Sequence, residues 1–420
     1  MRIAFLSDSY WPRVNGVSVS IQTFASELAR RGHAVVILCP EYPEGDGGIE
    51  ESDQTGPTVY RFPSSQSVVS TEDRIVHVTA FPAIFYILDR FRPDVIYSQT
   101  EFAMQVAGRL FARRRGLPFV LCSHTDYEHY IANYITTVDG EVLRATVRFL
   151  FRRVFGTADA VVTPSHAMER LLLGYGIYKP IHVIPSGISP IFKPLGADEI
   201  ESHRAALMEQ HPALAGRRIL LFAGRVTEEK NTDFLVPLMK RLLAERGDLA
   251  LLVVGDGPHR AALEEHVRAE GLADRVAFTG YMGRAELPLV YAAGDVFVFP
   301  SKTETLGLCT LEAMAVGTPV VAIGEMGTRD IMRGDHGGFM VRDDLEEFAL
   351  AVLRLLGDEE LRRSKSAEAI LWAEAFSIGG TTDRLVDFLE RIVRRGTRRA
   401  ARLRALKWSR NHRRAETGLG

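Results

Sequence analysis

Glu304 and Glu312 stand eight positions apart in the segment 301–315. The segment follows an apolar run, Val296, Phe297, Val298, Phe299 and Pro300, which reads as a buried parallel strand. A short helix and then a second apolar strand at 320–322 are expected after it. The two carboxylates therefore flank the turn where a strand ends and a helix begins. In an open α/β sheet, ligands bind at such turns, outside the carboxyl ends of the strands. Gly307 lets a backbone come close, and the first N–H groups of a helix suit a phosphate. Leu308 would supply one of them. Two acids beside an anion site call for hydroxyl groups to receive, and a sugar and a ribose offer them. The competing reading is an exposed acid pair beside an ordinary turn.

A second cluster has the complementary charge. Arg225 and Lys230 lie in the loop 224–231, at the carboxyl end of the strand expected at 219–223. Arginine can grip phosphate oxygens with two parallel hydrogen bonds, and lysine adds a point charge. Departure of a nucleoside diphosphate builds negative charge on its oxygens, which fixed cations stabilise. A solvated charged loop is the bland alternative. The Gly255-Asp256-Gly257-Pro258 turn reads as backbone geometry. In the first half, Gly16 sits between the first strand and the first helix, where a phosphate or sugar could approach the main chain. The run 123–130 follows the strand 119–122 and gathers hydrogen-bonding groups, among them His124, Asp126, Tyr127 and Glu128.

These residues need a frame that brings strand ends together. Short apolar strands are expected at 3–6, 34–38, 95–97, 119–122, 160–163 and 182–184, with helices at 17–31, 101–115 and 141–155. The alternation predicts a parallel sheet covered on both faces. A turn-rich break follows at 185–190 and 194–196. Strands resume at 219–223, 250–254, 276–279, 296–299 and 320–322. The expectation is α/β, with two successive Rossmann-like doubly wound domains facing across a cleft that holds the active site.

Composition agrees with that frame. A chain of 420 residues is long for one core. Its 46% hydrophobic and 25% charged residues are those of a globular protein. Cys39, Cys122 and Cys309 are the only cysteines; they lack metal-ligand spacing and read as small buried apolar groups in a reducing compartment. No apolar run approaches the length of a membrane span or signal peptide. The expected location is the cytoplasm, with the protein peripheral at the inner face of the cell membrane. The net charge of −2 hides an asymmetry: residues 391–420 hold eleven Lys or Arg and one acid, Glu416, a net +10, which leaves −12 on residues 1–390. A basic tail on an acidic body points to an anionic surface. Each basic residue near an anionic leaflet contributes about 1 kcal/mol. The helix 141–155 also mixes basic and large apolar residues, and a buried core helix is the favoured reading there. No specific nucleic-acid partner is expected.

The motifs together resemble the retaining glycosyltransferases of family 4, which have the GT-B fold and use nucleotide sugars. The resemblance rests on the Glu-x7-Glu segment with Gly307 and Ala313-Met314-Ala315, on Gly224-Arg225 with Glu229-Lys230, and on the Gly-x-Gly-Pro turn. It extends to about residue 395. Leu306 stands where the family usually has Phe, and Ser186-Gly187-Ile188-Ser189 where Asn-Gly-Ile-Asp is common. The resemblance implies that Arg225, Lys230, Gly307 and Leu308 hold the donor diphosphate. It further implies that Glu304 contacts the sugar, Glu312 the ribose, and Tyr281 and Met282 the base. Gly16 would face the donor, and His124 the transferred sugar. Asp126, Tyr127 and Glu128 would lie toward the acceptor. It implies an acceptor-side domain at 1–188, a nucleotide-sugar domain at 189–375, a helix at 376–395 returning to the first domain, and a basic tail at 396–420.

The spelling around His124, with Asp8-Ser9-Tyr10-Trp11-Pro12 and Asn15-Gly16-Val17, looks like the branch containing diacylglycerol α-glucosyltransferases. That implies transfer of a hexose, first of all glucose from UDP-glucose, to a membrane lipid, with no cofactor. No Asp-x-Asp lies in a suitable loop, and Asp343-Asp344 reads as a helix cap. The expected reaction is therefore metal-independent. Alternatives are mannosyl or other hexosyl transfer to an inositol lipid, a polyprenyl lipid or a soluble acceptor. A protein that binds nucleotide sugars without turnover is the alternative from another class.

Overall fold

The computed structural model describes residues 1–43, 49–50, 56–67, 73–126 and 140–396. The chain forms two compact units. The first comprises Met1–Thr163, Glu169–Ile184 and the chain from Thr381 onward; the second comprises Pro164–Met168 and Pro185–Gly380.

The first unit is built on β1 (Arg2–Leu6), β2 (Ala34–Pro40), β3 (Ile49–Glu50), β4 (Thr58–Phe62), β5 (Ser64–Gln66), β6 (Arg74–Val76), β7 (Val95–Ser98), β8 (Phe119–Cys122), β9 (Ala160–Thr163) and β10 (Ile181–Val183). Eight of them make one sheet in the order β10-β9-β8-β7-β1-β2-β4-β3, parallel except for the β3–β4 pair. β5 and β6 form a separate antiparallel pair. The chain leaves β1 toward β2 and β4, then returns to the other side of β1 at β7. The gap beyond the ends of β1 and β7 is thus a topological switch point, where open sheets of this kind bind ligands. β7, β8 and β9 are buried along their whole length. Burial on both faces explains why they lack the apolar–polar alternation of a half-exposed strand.

The second unit repeats the scheme with β11 (Arg218–Ala223), β12 (Leu249–Val254), β13 (Val276–Gly280), β14 (Val296–Phe299), β15 (Val320–Ile323) and β16 (Gly338–Val341). They form one parallel sheet in the order β13-β12-β11-β14-β15-β16, whose switch point lies between β11 and β14. The aromatic side chains of β14 anchor the strand. Phe297 stacks on Phe299 at 5.5 Å, and Phe299 on Phe222 of β11 at 5.9 Å. Such pairs contribute about 0.5–1.5 kcal/mol each beyond their burial. The Phe299–Phe222 pair crosses between the two strands whose ends carry the charged loops.

Several local expectations shift. The first helix spans Gly16–Arg30, with Asn15 as its cap accepting from the Ser18 N–H at 2.8 Å. The helix expected from residue 101 begins at Ala103, because Thr100 is drawn into a bond with Asp8. The break at 185–190 falls where one unit gives way to the other, and there the Ile188 N–H donates to Phe376 O and the Ile378 N–H donates back to Ile188 O. The helix expected at 376–395 runs over 378–396. Its residues Leu385, Phe388, Leu389 and Ile392 are buried, and the Phe388 ring lies 4.5 Å from His182. Asp344 caps the helix Leu345–Gly357, as its position implied. The helix Gly140–Phe155 buries Val147, Phe151 and Phe155 in the first unit's core, while Phe149 and Leu150 face outward. Among the described residues, no helix is long and apolar enough to cross a membrane.

Candidate active site

In the second unit the chemistry gathers at the switch point. Two loops leave the adjacent ends of β11 and β14 and are laced together by hydrogen bonds. Thr303 Oγ1 donates to Glu229 O at 3.1 Å, and Asn231 Nδ2 donates to Pro300 O at 3.1 Å. Lys230 Nζ, from the first loop, bonds Glu304 Oε1, from the second, at 2.7 Å. Ser301 Oγ donates to the same oxygen at 2.8 Å. The lysine and glutamate side chains keep only 20% and 13% of their exposure. Burial pulls the Lys230 ammonium toward deprotonation, but Glu304 and Glu229 outweigh it, so its pKa is raised and it stays charged. An ammonium has three N–H donors. The Glu304 bond therefore leaves two for a further anion.

Arg225 is held by its neighbours' backbone. The Gly224 N–H donates to Val254 O and the Val226 N–H to Asp256 O. The glycine turn after β12 explains itself here: a Cβ at Gly255 would fall 2.0 Å from Gly224 O, and one at Gly257 would fall 2.3 Å from Val226 O. Only glycine lets this turn press against the Arg225 loop.

Gly307, at φ +91°, turns the chain into the helix Leu308–Ala315. The N–H groups of a helix's first turn lack partners within the helix. Gly327, which the sequence reading passed over, supports this turn from below. Its N–H donates to Glu304 O at 2.7 Å, and a Cβ on it would lie 2.6 Å from the Leu306 main chain. Cys309 sits within electrostatic reach of Glu304, Glu312 and Lys230. Burial pushes its thiol up to about 12, so it is a neutral, unreactive group.

Glu312 has its own partners. It is 5% exposed and receives the Tyr291 hydroxyl at 3.2 Å, with Arg284 Nη2 at 3.3 Å from its other oxygen. Burial raises its pKa despite Arg284 and Tyr291. Tyr281 is exposed, whereas Met282 packs on the core.

In the first unit, His124 follows β8 and Gln99 follows β7. Their side chains meet at 3.0 Å, His124 Nε2 to Gln99 Oε1. With the carbonyl oxygen there, Nε2 carries the proton. Burial lowers the His124 pKa to about 4, so the imidazole is neutral near pH 7. Gln99 escaped the sequence reading, having no charge to mark it. Asp8, at the end of β1, accepts from Met104 N, Thr100 Oγ1 and Val76 N, and burial raises its pKa to about 6. It ties together three segments around this switch point.

Gly16 opens its helix in open space: a Cβ there meets no atom within 4 Å. Asp126 is buried and accepts from Tyr175 OH at 3.3 Å. Tyr127 and Glu128 lie outside the described residues. Among the described residues, no cluster of His, Cys, Asp and Glu suited to a metal ion occurs.

Comparison with known proteins accounts for both halves. Residues 14–191 match the family model described as Glycosyltransferase Family 4, and residues 217–358 match Glycosyl transferases group 1. The chain is 33% identical over 328 residues to an alpha-monoglucosyldiacylglycerol synthase of Streptococcus pneumoniae, covering 77% of this chain and 71% of that protein. It is 30% identical over 404 residues to a GDP-mannose-dependent alpha-mannosyltransferase of Mycolicibacterium smegmatis, covering 96% and 100%. The structure of Anabaena HepE in complex with UDP superposes with a TM-score of 0.72 at 18% identity, over 93% of this chain and 100% of that one. Two Rossmann-like sheets, their loaded switch points and these matches leave one assignment: the chain is a glycosyltransferase of the family 4 and group 1 type, with the GT-B fold.

Proposed function

We propose that this glycosyltransferase moves a hexose, first of all glucose from UDP-glucose, to a membrane lipid such as diacylglycerol, retaining the anomeric configuration without a metal ion. The carrying observation is the Lys230–Glu304 pair at 2.7 Å, set beside the helix start at Gly307. It sets a cation from the β11 loop against a carboxylate of the β14 loop, three residues before the glycine that opens a helix. In this reading Arg225, Lys230 and the backbone at Gly307 and Leu308 hold the diphosphate. Glu304 receives hydroxyls of the sugar, Glu312 those of the ribose, and Tyr281 and Met282 lie along the base.

From the family resemblance, Gly16 is assigned to the donor and His124, a neutral imidazole, to the transferred sugar. Asp126, Tyr127 and Glu128 lie toward the acceptor. The bond between the anomeric carbon and the diphosphate oxygen breaks. The acceptor oxygen bonds to the same face of that carbon, and its proton passes to the departing phosphate. Charge on the leaving group is stabilised by the two cations and the helix N–H groups.

The lipid acceptor draws support from the pneumococcal relative, named for glucosyldiacylglycerol synthesis. A second reading, mannosyl transfer from GDP-mannose, draws support from the mycobacterial relative, which matches 96% of the chain. A panel of UDP- and GDP-sugars incubated with total membrane lipid, with products read by mass spectrometry, separates the two. Hexosyl-diacylglycerol from UDP-glucose is expected. A product from GDP-mannose alone selects the second reading. No product and no slow donor hydrolysis would leave a binding protein only.

A further inference from the structure

Glu312 is a carboxylate in an apolar setting, and it needs something to keep it ionised. Its helix packs into the core, with Thr310, Leu311, Ala313 and Met314 fully buried beside it. Burial is the strongest influence on its charge and favours the protonated form. Three polar side chains face it among the described residues: Tyr291, Cys309 and Arg284. Burial holds the Tyr291 phenol and the Cys309 thiol protonated and neutral. Arg284 alone of these three brings a full positive charge.

The guanidinium is itself braced. It lies over the Phe192 ring at 5.3 Å, and that ring meets Tyr291 edge-on at 5.9 Å. Arg284 and Tyr291 thus hold one carboxylate, and Phe192, from a distant part of the chain, packs against both. A buried ion pair adds little to stability compared with apolar residues of similar size. A carboxylate kept ionised at this depth by Arg284 is suited instead to use of its lone pairs. A deprotonated carboxylate accepts at both oxygens, whereas a protonated one presents an O–H donor.

We propose that Arg284 is a positioning residue for donor recognition: by pairing with Glu312 it keeps that carboxylate ionised and oriented to accept the hydroxyls of the donor's ribose. The inference rests on the reading above that Glu312 meets the ribose. Without Arg284, the carboxyl should take up a proton at a higher pH. Donor affinity, which needs the ionised form, would then be lost sooner as the pH falls.

The test is titration calorimetry of the full-length protein with UDP and with 2′-deoxy-UDP, from about pH 6 to about pH 8.5, across the range where a buried carboxyl can titrate. The variants are R284M, R284K and E312Q. R284M should weaken UDP binding by about tenfold or more near pH 6, the scale of a lost charged hydrogen bond. The loss should be smaller at high pH. The preference for UDP over its deoxy analogue should shrink with it, and R284K should recover part of both. In an E312Q background, R284M should change nothing further. Wild-type affinity, pH profile and UDP preference in R284M, with E312Q impaired, would overturn the inference and leave the ribose reading standing. E312Q binding both nucleotides as the wild type does would overturn that reading itself. Should R284M fail to fold, the pH profile and nucleotide preference of R284K decide: a shift in either supports the proposal, and none overturns it.

Discussion

Lys230 remains charged in a half-buried position because Glu304 sits against it, and Glu304 is in turn oriented by Ser301. Each partner is costly to remove, because the other is then left without compensation. Arg225→Ala and Lys230→Ala should each lower turnover more than about tenfold, since lost charge stabilisation typically costs a few kcal/mol. Steady-state release of the nucleoside diphosphate measures it, and near-normal turnover in both variants would contradict the donor site. His124 calls for a different measurement. Its folded pKa, about 4, lies below the ordinary histidine value of 6.5. Its contribution to stability is therefore complete above pH 6.5 and is lost as the pH falls toward 4. Its ring nitrogen resonances should show the neutral form throughout the range above about pH 5.5. A titration midpoint near 6.5 would show that the ring is solvated and would undo the Gln99 pairing.

At the scale of elements, two glycines make opposite predictions. Gly327 is required by the protein's own packing: a Cβ there would lie 2.5 Å from Thr305 O and 2.6 Å from Leu306 N. Gly327→Ala should cost about 1–3 kcal/mol of stability through overpacking. By displacing the 304–307 turn, it should also lower kcat/KM by about tenfold or more. Urea unfolding alongside donor kinetics reads both effects. Gly16 meets open space, so Gly16→Ala should change stability by no more than about 0.5 kcal/mol. If the donor approaches that backbone, its KM should rise all the same. Unchanged donor kinetics in Gly16→Ala would remove Gly16 from the site. The contrast separates glycines kept for the fold from one kept for a ligand.

Across the whole molecule, charge is unevenly spread. Residues 391–420 carry a net +10 against a net −12 on the remainder. Most of that positive segment lies outside the described residues. Several basic residues acting together, at about 1 kcal/mol each, are enough for reversible attachment to an anionic leaflet. Deleting residues 396–420 should weaken flotation with anionic vesicles and leave transfer to a detergent-dispersed acceptor largely intact. Flotation equal to that of the full chain would discard the tail as a membrane anchor.

By itself, the sequence determined the alternation of strands and helices and the two-sheet architecture. Those rest on local properties: a short β-branched and aromatic run such as 296–299, bounded by turn signals, favours a buried strand, and the charged loop after it then falls at the sheet's carboxyl edge. It also marked Glu304, Glu312, Arg225 and Lys230 as candidates for one donor site. Tertiary structure alone decided who partners whom. Lys230 and Glu304 are 74 residues apart and meet because β11 and β14 are neighbours across the switch point. His124 and Gln99, 25 apart, meet because β7 and β8 are adjacent. Glu312 meets Arg284 and Tyr291 because its helix packs that side chain into the core. The reason is physical: strand order sets which loops adjoin, and burial then sets the charge each side chain can carry.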